Sequence, residues 1–229
     1  MLESLEAGVL SSDELATLER EITSCWRCPR LVEWREKVAR EKRAAFSDET
    51  YWGRPVPGFG DPDARVVILG LASAAHGANR TGRFFTGDRS GDFLFAALHR
   101  TGFASRPVSR HREDGLELYG LWISAAVRCA PPQNRPTPAE RDACLPYAGR
   151  ELELLEAQVV VCLGAFAWDA ALRLYGLRPK PRFGHGAEVV AGATALLGCY
   201  HPSQQNTFTG VLTPAMLDAV LLRARALGR

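Results

Sequence analysis

The stretch Val66–Leu94, VVILGLASAAHGANRTGRFFTGDRSGDFL, decides the fold. Its first four residues form an apolar, β-branched run that predicts a buried strand, and helical spacing resumes only at Phe93. Because loops at the carboxyl ends of strands form the ligand crevice of an open α/β sheet, we expect the intervening loop to bind a ligand. Its recurring glycines let backbone N–H groups approach an anion or a flat ring. The alternative is a flexible connector, against which the pair Phe84 and Phe85 argues.

Apolar runs typical of strands alternate along the chain with segments of helical spacing. After the first run the core strands are Leu121–Val127, Val159–Leu163 and Ala195–Tyr200, and Glu188–Ala191 is a short additional strand. This alternation implies right-handed crossovers, so we predict the α/β class, with a three-layer αβα sandwich around a central, mostly parallel four-stranded sheet. A length of 229 residues predicts a single domain, with residues 1–45 as an N-terminal helical arm.

Capping signals predict where several helices begin. Thr137–Glu140, TPAE, matches a capping box with proline in the first turn, and Thr213 caps a closing helix. Ser11 and Ser12 are candidate caps for a first helix over Asp13–Thr23.

Arginine supplies nearly all of the positive charge. The formal net charge is +2, and the only lysines are Lys37, Lys42 and Lys180. Arginine suits nucleic acid because it binds phosphate in a bidentate manner, but the bias equally fits genome composition or heat adaptation. The basic segment Arg106–Arg112 is either a phosphate-facing loop or a solvated surface loop. No signal peptide and no apolar run of ~20 residues is present, so we expect a soluble, cytoplasmic monomer, nucleoid-associated in a prokaryote, with no membrane partner.

Six cysteines in a cytosolic chain are unlikely to form a disulfide framework. Cys162 and Cys199 lie inside apolar strand segments and are interpreted as small core residues. The other four suit either structural zinc or a [4Fe–4S] cluster. A zinc ribbon usually has two closely spaced pairs, whereas this chain has one Cys-x2-Cys pair, which favours iron–sulfur. These candidate ligands are Cys25, Cys28, Cys129 and Cys144.

Four segments carry unusual motifs near predicted strand ends: Gly70–Gly77 (GLASAAHG), Ala78–Asp88 (ANRTGRFFTGD), Arg128–Arg135 (RCAPPQNR) and His201–Asn206 (HPSQQN). In this order, and with the four cysteines, they resemble the uracil-DNA glycosylase superfamily, most closely its family 5, the broad-specificity B type. The resemblance runs from about Cys25 to the closing helix. It implies an αβα sandwich, a [4Fe–4S] cluster and excision of deaminated bases from DNA in base excision repair.

Two departures from the superfamily pattern concern specificity. Members with strict uracil preference carry Asp or Asn after the first strand, where this chain has Leu71, Ala72 and Ser73, and family 5 tends to have proline at the last of these. The related family 4 reads uracil with an Asn that matches Ala125. These losses imply a less selective pocket that also accepts bases such as hypoxanthine and xanthine.

Cleavage of a glycosidic bond passes through an oxocarbenium-like state, so the enzyme can stabilise the leaving base, face the sugar cation and position water. His201 is the candidate donor to the leaving base, although a lone histidine is more often a packing residue. Asp88 is the candidate carboxylate that orients water or faces the sugar. Its competitor Asp92 is interpreted as stabilising the helix dipole. Asn134 either positions water or shapes the turn before the next helix.

A base must leave the duplex before its glycosidic bond can be reached, and the pocket must replace the lost stacking. The resemblance assigns this stacking to Phe85, whereas Phe84 is interpreted as a core anchor. The remaining candidate substrate-binding residues are Gly70, Ala72, His76, Asn79 and Ala125. The candidate DNA-binding residues are Arg83, Ser203, Gln204, Gln205 and Asn206.

We predict a monofunctional glycosylase without lyase activity, because no lysine lies in the motif loops to form a Schiff base. An alternative is a non-catalytic iron–sulfur module that binds damaged or abasic DNA. A nucleotide enzyme is a further alternative, disfavoured because the glycine-rich loop matches neither GxGxxG nor the P-loop pattern.

Overall fold

The protein forms one six-stranded sheet covered by helices on both faces. The structure is a computed structural model that describes the backbone of residues 2–228 and the side chains of residues 12–228. The spatial strand order is β1-β3-β2-β4-β6-β5. The four central strands pair in parallel, which confirms the predicted αβα class. The strands are β1 (Phe59–Gly60), β2 (Val66–Ala72), β3 (Leu121–Val127), β4 (Val159–Leu163), β5 (Glu188–Ala191) and β6 (Thr194–Cys199).

The predicted strand number was too small. Strand β1 adds to one edge of the sheet and β5 to the other, and both pair antiparallel with their neighbours. Strand β1 has only two residues and lies in a segment rich in proline and glycine, so its sequence carries no strand pattern. The parallel core is therefore flanked by two short antiparallel edges.

Alternating side chains of β2 enter two separate cores. Val66 and Ile68 face the core beneath α4 and α8, whereas Val67 and Leu69 face the core beneath α5 and α6. This two-sided burial explains why the strand reads as a continuous apolar run. The helices are α1 (Leu2–Thr23), α2 (Pro29–Glu41), α3 (Ala78–Thr81), α4 (Arg89–Arg100), α5 (Pro138–Leu154), α6 (Ala165–Leu174), α7 (Gln204–Phe208) and α8 (Pro214–Leu227).

The loop after β2 is shorter than predicted. Strand β2 continues through Gly70 to Ala72, and α3 forms inside the loop. Helix α4 begins at Arg89 rather than at Phe93, because the Asp88 side chain accepts a hydrogen bond from the Gly91 N–H and caps the helix. The short polar first turn of α4 carries no apolar periodicity, which is why the sequence pattern missed it.

Capping was predicted correctly for α5 and α8 but not for α1. Thr137 and Glu140 form the reciprocal capping box, and Thr213 accepts from the Met216 N–H. Helix α1 runs through Ser12 without a break, so this residue is not a cap, and the side chain of Ser11 lies outside the described residues.

The N-terminal arm is fastened to the domain by packing and by an ion pair. Leu18 and Ile22 of α1 pack against Tyr147 of α5. Arg30 of α2 forms a bidentate pair with Glu140, with Nε–Oε1 and Nη2–Oε2 distances of 2.7 and 2.6 Å. Within residues 2–228, none of the helices combines the length and apolar character needed to cross a bilayer.

Candidate active site

The ring of Phe85 lies on the backbone of β2 where that strand ends. A Cβ atom at Gly70 would approach the Phe85 ring to 3.1 Å, so glycine is what lets the ring lie directly over the strand. The Phe85 backbone has a φ of +52°, a left-handed conformation that is strained for a bulky residue. The first turn of α4 packs on the Phe85 carbonyl at Gly91, where any side chain would overlap it. Phe84, in contrast, is buried in the core, as predicted.

His201 follows β6 and meets Phe85 across the end of β4. The two ring centroids lie 6.0 Å apart, with an angle of 36° between the planes. Gly164 at the end of β4 has a φ of +92°, and a Cβ there would lie 3.4 Å from the His201 Cβ. Three neighbouring parallel strands therefore end at one place, where the predicted stacking ring and the predicted donor to the base stand side by side.

Burial lowers the pKa of His201 to about 4. A neutral imidazole donates one N–H bond and accepts at its other nitrogen, so it can donate to the oxygen of a leaving base without carrying a charge. The histidine is therefore neutral at physiological pH.

We expect the imidazole of His201 to titrate near pH 4 and to contribute no inflection to the pH–rate profile between pH 5 and 8. The reason is that its protonated form appears only when the pH falls through the lowered pKa. NMR titration of the histidine side chains checks the first statement. As a control, His201→Gln, which does not titrate, should show a profile of the same shape in this range. A His201 transition near pH 6.5 would contradict the expectation.

Asp88 lies at the start of α4 and serves as its cap, through a 2.9 Å bond from the Gly91 N–H to Oδ1. Burial raises its pKa, and the backbone bonds from Gly91 and Ser90 oppose that rise. The other carboxylate oxygen lies against Gly77, where a Cβ would overlap it. Asp92 lies in the first turn of α4, as predicted for a residue that stabilises the helix dipole.

Arg80 holds the loop of Phe85 and Asp88 in shape, a role that the sequence analysis did not assign. Its guanidinium is buried and donates to the Gly87 carbonyl at 2.8 Å and to the His76 carbonyl at 2.9 Å. It also pairs with Glu49 at 2.5 Å. The only signal in the sequence was an arginine inside a glycine-rich loop, which does not distinguish a loop brace from a phosphate ligand.

Arg83, a predicted DNA contact, is turned into the protein. Its side chain is buried and forms an ion pair with Asp114 at 2.7 Å and hydrogen bonds to Thr86 and Ser109. Although burial opposes it, the bond from Arg83 and two backbone N–H bonds hold the pKa of Asp114 at about 2. The guanidinium is fully committed to the protein interior.

Asn79 is likewise turned inward rather than toward a base. It is fully buried, and its Nδ2 donates to the Arg35 carbonyl of α2 at 3.1 Å, so it joins α3 to the N-terminal arm. His76 is half-buried and bonds through Nδ1 to the Tyr51 hydroxyl at 3.1 Å. Burial, with Arg43 and Arg80 nearby, lowers the pKa of His76.

The other predicted residues around the base differ in accessibility. Ala125 is fully buried in β3, next to Gly70 in the parallel register, and Ala72 is half-buried at the end of β2. Asn134 is exposed in the loop after β3 and has a φ of +56°. This left-handed backbone, which Asn tolerates better than most residues, matches the interpretation of a turn-shaping residue. The structure does not place Asn134 in contact with Phe85 or His201.

The segment after His201 forms a short ordered helix. Ser203 caps α7, and the Asn206 Nδ2 donates to the His201 carbonyl at 2.9 Å. Gln204 and Gln205 are exposed. Of the four predicted DNA contacts in this segment, Ser203 and Asn206 are therefore engaged in local structure, and the two glutamines face solvent.

The basic segment after α4 is mostly engaged within the protein. Arg106 donates to the carbonyls of Asp114 and Gly115 at 2.6 and 3.0 Å, and Arg112 forms an ion pair with Glu19 of α1. These contacts favour the interpretation of a surface loop. A cavity of about 620 Å³ beside this loop and β1 is lined by other residues than those of the Phe85 and His201 site.

The four candidate ligand cysteines line one small cavity at the junction of α1, α2, α5 and the loop after β3. Arg35 is buried there and donates to the Cys129 Sγ at 3.1 Å, and the Arg128 N–H donates to the Cys144 Sγ at 3.2 Å. The Arg35 Nε is buried without a partner in the described part of the chain. The buried guanidinium of Arg35 suits a thiolate because it compensates negative charge, whereas the Arg128 guanidinium is paired with Glu151.

Burial raises the pKa of Cys129 to about 11 and that of Cys144 to about 12, so both are neutral thiols at pH 7 when no metal is bound. Among the described residues, no group of three or more His, Cys, Asp or Glu side chains converges on the position of a single metal ion. Cys162 and Cys199 are buried in β4 and β6, as predicted for core residues.

A family model and several known proteins match the sequence of this chain. The model of the family described as uracil DNA glycosylase superfamily matches residues 57–225. A type-5 uracil-DNA glycosylase of Mycobacterium tuberculosis is 58% identical over 228 residues, which cover 97% of this chain and 84% of the relative. One from Thermus thermophilus is 53% identical over 209 residues, covering 90% and 94%. A type-4 uracil-DNA glycosylase of Archaeoglobus fulgidus is 34% identical over 123 residues, covering 53% and 54%.

Proposed function

Since this chain belongs to the uracil-DNA glycosylase superfamily, we propose that it is a monofunctional DNA glycosylase that hydrolyses the N-glycosidic bond of uracil in DNA and so begins base excision repair. The observation that carries the proposal is the pair of rings, Phe85 and His201, 6.0 Å apart at the ends of parallel strands. The relatives that cover most of this chain are named for the same activity.

The residues divide the reaction between them. Phe85 stacks on the extruded base and replaces the stacking lost from the duplex. As the bond between sugar and base breaks, its electron pair leaves with the base, and His201 donates an N–H bond to the base oxygen that gains charge. Asp88 faces the resulting sugar cation and orients the water that adds to it.

We also propose that the substrates include other deaminated bases, such as hypoxanthine and xanthine. Support comes from Ala72 and Ala125, whose methyl groups cannot form the amide hydrogen bonds that an Asn would offer to one particular base edge. Ala125 lies beside Gly70 in the sheet, under the Phe85 ring. A pocket built mainly on ring stacking and backbone is tolerant because every base has a π-face.

We propose that the four cysteines hold a [4Fe–4S] cluster rather than zinc, because the chain has one Cys-x2-Cys pair and two isolated cysteines, whereas a zinc ribbon usually has two closely spaced pairs. Further support comes from the cavity that the four cysteines share and from the Arg35 guanidinium, which donates to the Cys129 Sγ. When bound, such a group supplies a structural link between the arm and the sheet. Arg35 then balances the charge of the thiolates. The hydrogen bond from Asn79 to the Arg35 carbonyl joins α3 to α2. We propose a cytoplasmic monomer that acts on DNA near the nucleoid.

We expect the purified protein to release uracil from a duplex and to leave an intact abasic strand. A gel assay should show nicks only after alkali treatment, because no lysine of the motif loops forms a Schiff base. Duplexes with hypoxanthine and xanthine should also lose their bases. Nicking without alkali would contradict the monofunctional mechanism. Tight binding to abasic DNA without any base release would instead favour a non-catalytic binding module.

A further inference from the structure

An exposed phenylalanine, Phe208, follows the loop of His201 and has one arginine over its ring. Phe208 at the end of α7 is 70% exposed. The Arg89 guanidinium lies over its ring, with Cζ 5.7 Å from the ring centroid. Arg89 directly follows Asp88, and Phe208 lies seven residues after His201, so the pair bridges the two loops that carry the proposed catalytic groups.

The position of Phe208 is fixed by its own segment. Ser203 caps α7, and the Leu212 N–H donates to the Asn206 carbonyl at 3.0 Å, which closes the turn after the helix. Gln204 lies one helical turn before Phe208, so it occupies the same face of α7. Phe208 belongs to neither of the two core clusters, so this face of α7 points away from the core that α4 and α8 cover.

Arg89 has no acidic partner among the side chains of residues 12–228. In residues 12–228 its guanidinium forms no hydrogen bond or ion pair, and its one recorded contact is the Phe208 ring. It also occupies the first turn of α4, where the helix dipole disfavours a positive charge. The Arg89 side chain is exposed. An exposed guanidinium without a partner, stacked on a ring, keeps its donors free for a planar anion such as phosphate.

We propose that Arg89, held in place by the ring of Phe208, binds a phosphate of the DNA backbone next to the extruded nucleotide. The proposal rests on the proposed glycosylase function and adds a positioning contact to it. The ring limits the rotamers of Arg89, so less entropy is lost when the phosphate binds. The contact fixes the register of the duplex over Phe85 and His201 without reading its sequence.

The test measures binding to a duplex with a non-hydrolysable abasic site at several salt concentrations between about 50 and about 200 mM. The variants are Arg89→Ala, Phe208→Ala, Phe208→Tyr and the double variant of the two alanine changes. Arg178→Ala is the matched control, because this exposed arginine follows α6 and lies outside the two loops that carry the proposed catalytic groups. Melting curves establish that each variant is folded.

We expect Arg89→Ala to weaken binding by about 3- to 10-fold and to reduce the slope of log K against log salt by about one, the effect of one lost phosphate contact. Phe208→Ala should weaken binding less, Phe208→Tyr and Arg178→Ala should match the wild type, and the double variant should match Arg89→Ala. An unchanged salt slope in Arg89→Ala overturns the proposal. So does a Phe208→Ala effect of equal size with and without Arg89, because the ring would then act on DNA independently. Wild-type protein is assayed for uracil release in parallel, so that its failure to release base counts against the proposed function, whereas active wild type with unaffected variants counts against this inference alone.

Discussion

Replacing Asp88 by Asn should lower the rate of uracil excision by about 10²- to 10⁴-fold, the usual contribution of one positioned acid–base group. The amide keeps the size of the side chain but can neither face the sugar cation with a charge nor take a proton from water. Asn is as good a helix cap as Asp, so α4 should remain intact, with a change in the free energy of unfolding below about 1 kcal/mol. Single-turnover excision and affinity for abasic DNA check the prediction, and the affinity should be preserved.

Two further variants separate the capping role of the Asp88 side chain from the proposed catalytic role of its charge. Asp88→Ser keeps a capping oxygen and should lose as much activity as Asp88→Asn. Asp92→Asn, in the same turn, should retain nearly full activity and lose only the dipole interaction, ~0.3–1 kcal/mol. Since burial raises the pKa of Asp88, wild-type excision should fall as the pH is lowered through that raised value, because protonation removes the charge. A wild-type rate in Asp88→Asn would remove this residue from the mechanism.

Replacing Cys144 by Ser should remove the broad visible absorption and most of the iron from protein purified without oxygen. The four cysteines lie on three separate parts of the chain that meet at one cavity, so Cys144→Ser would remove one ligand of the proposed cluster, which would join these parts when bound. The melting temperature should fall by about 5 °C or more, since α1 and α2 then depend on packing and on ion pairs such as Arg30 with Glu140 and Arg112 with Glu19. Metal analysis and thermal unfolding measure both effects.

Cys162→Ala is the control for this experiment, because Cys162 is buried in β4 outside the cavity. It should keep its colour and its iron. Wild-type protein with about four irons per chain is expected. A colourless wild type with one zinc per chain would replace the cluster by a zinc site, and full iron in Cys144→Ser would remove this cysteine from the ligand set.

Local patterns predicted the framework well where one physical rule dominates. The apolar runs of β3 and β4 coincide with the observed strands because a strand buried on both faces leaves an uninterrupted apolar record. Thr137 and Glu140 predicted the start of α5 because the capping box is a contact between neighbours in sequence. The edge strand β1 was missed because two residues leave no period to detect, and its pairing partner lies some sixty residues away.

The candidate site was predicted in part. The motif loops led to Phe85 and His201, which the fold brings within 6.0 Å of each other. The roles of the arginines and amides were harder to predict, because the same residue type can bind a ligand or hold the protein interior together. Arg83 and Asn79 look like ligand contacts in sequence, yet both are buried and donate hydrogen bonds inside the protein. Arg89 received no assignment, and its exposed guanidinium lies over an aromatic ring.

By itself, the sequence determined the parallel strands, the starts of α5 and α8 and the identity of the chemical groups, since these depend on period, capping and residue type within a few turns of chain. Only the tertiary structure decided which polar side chains face the solvent. That choice depends on partners far along the chain, as Asp114 is for Arg83, and a buried charge persists only where such a partner meets it.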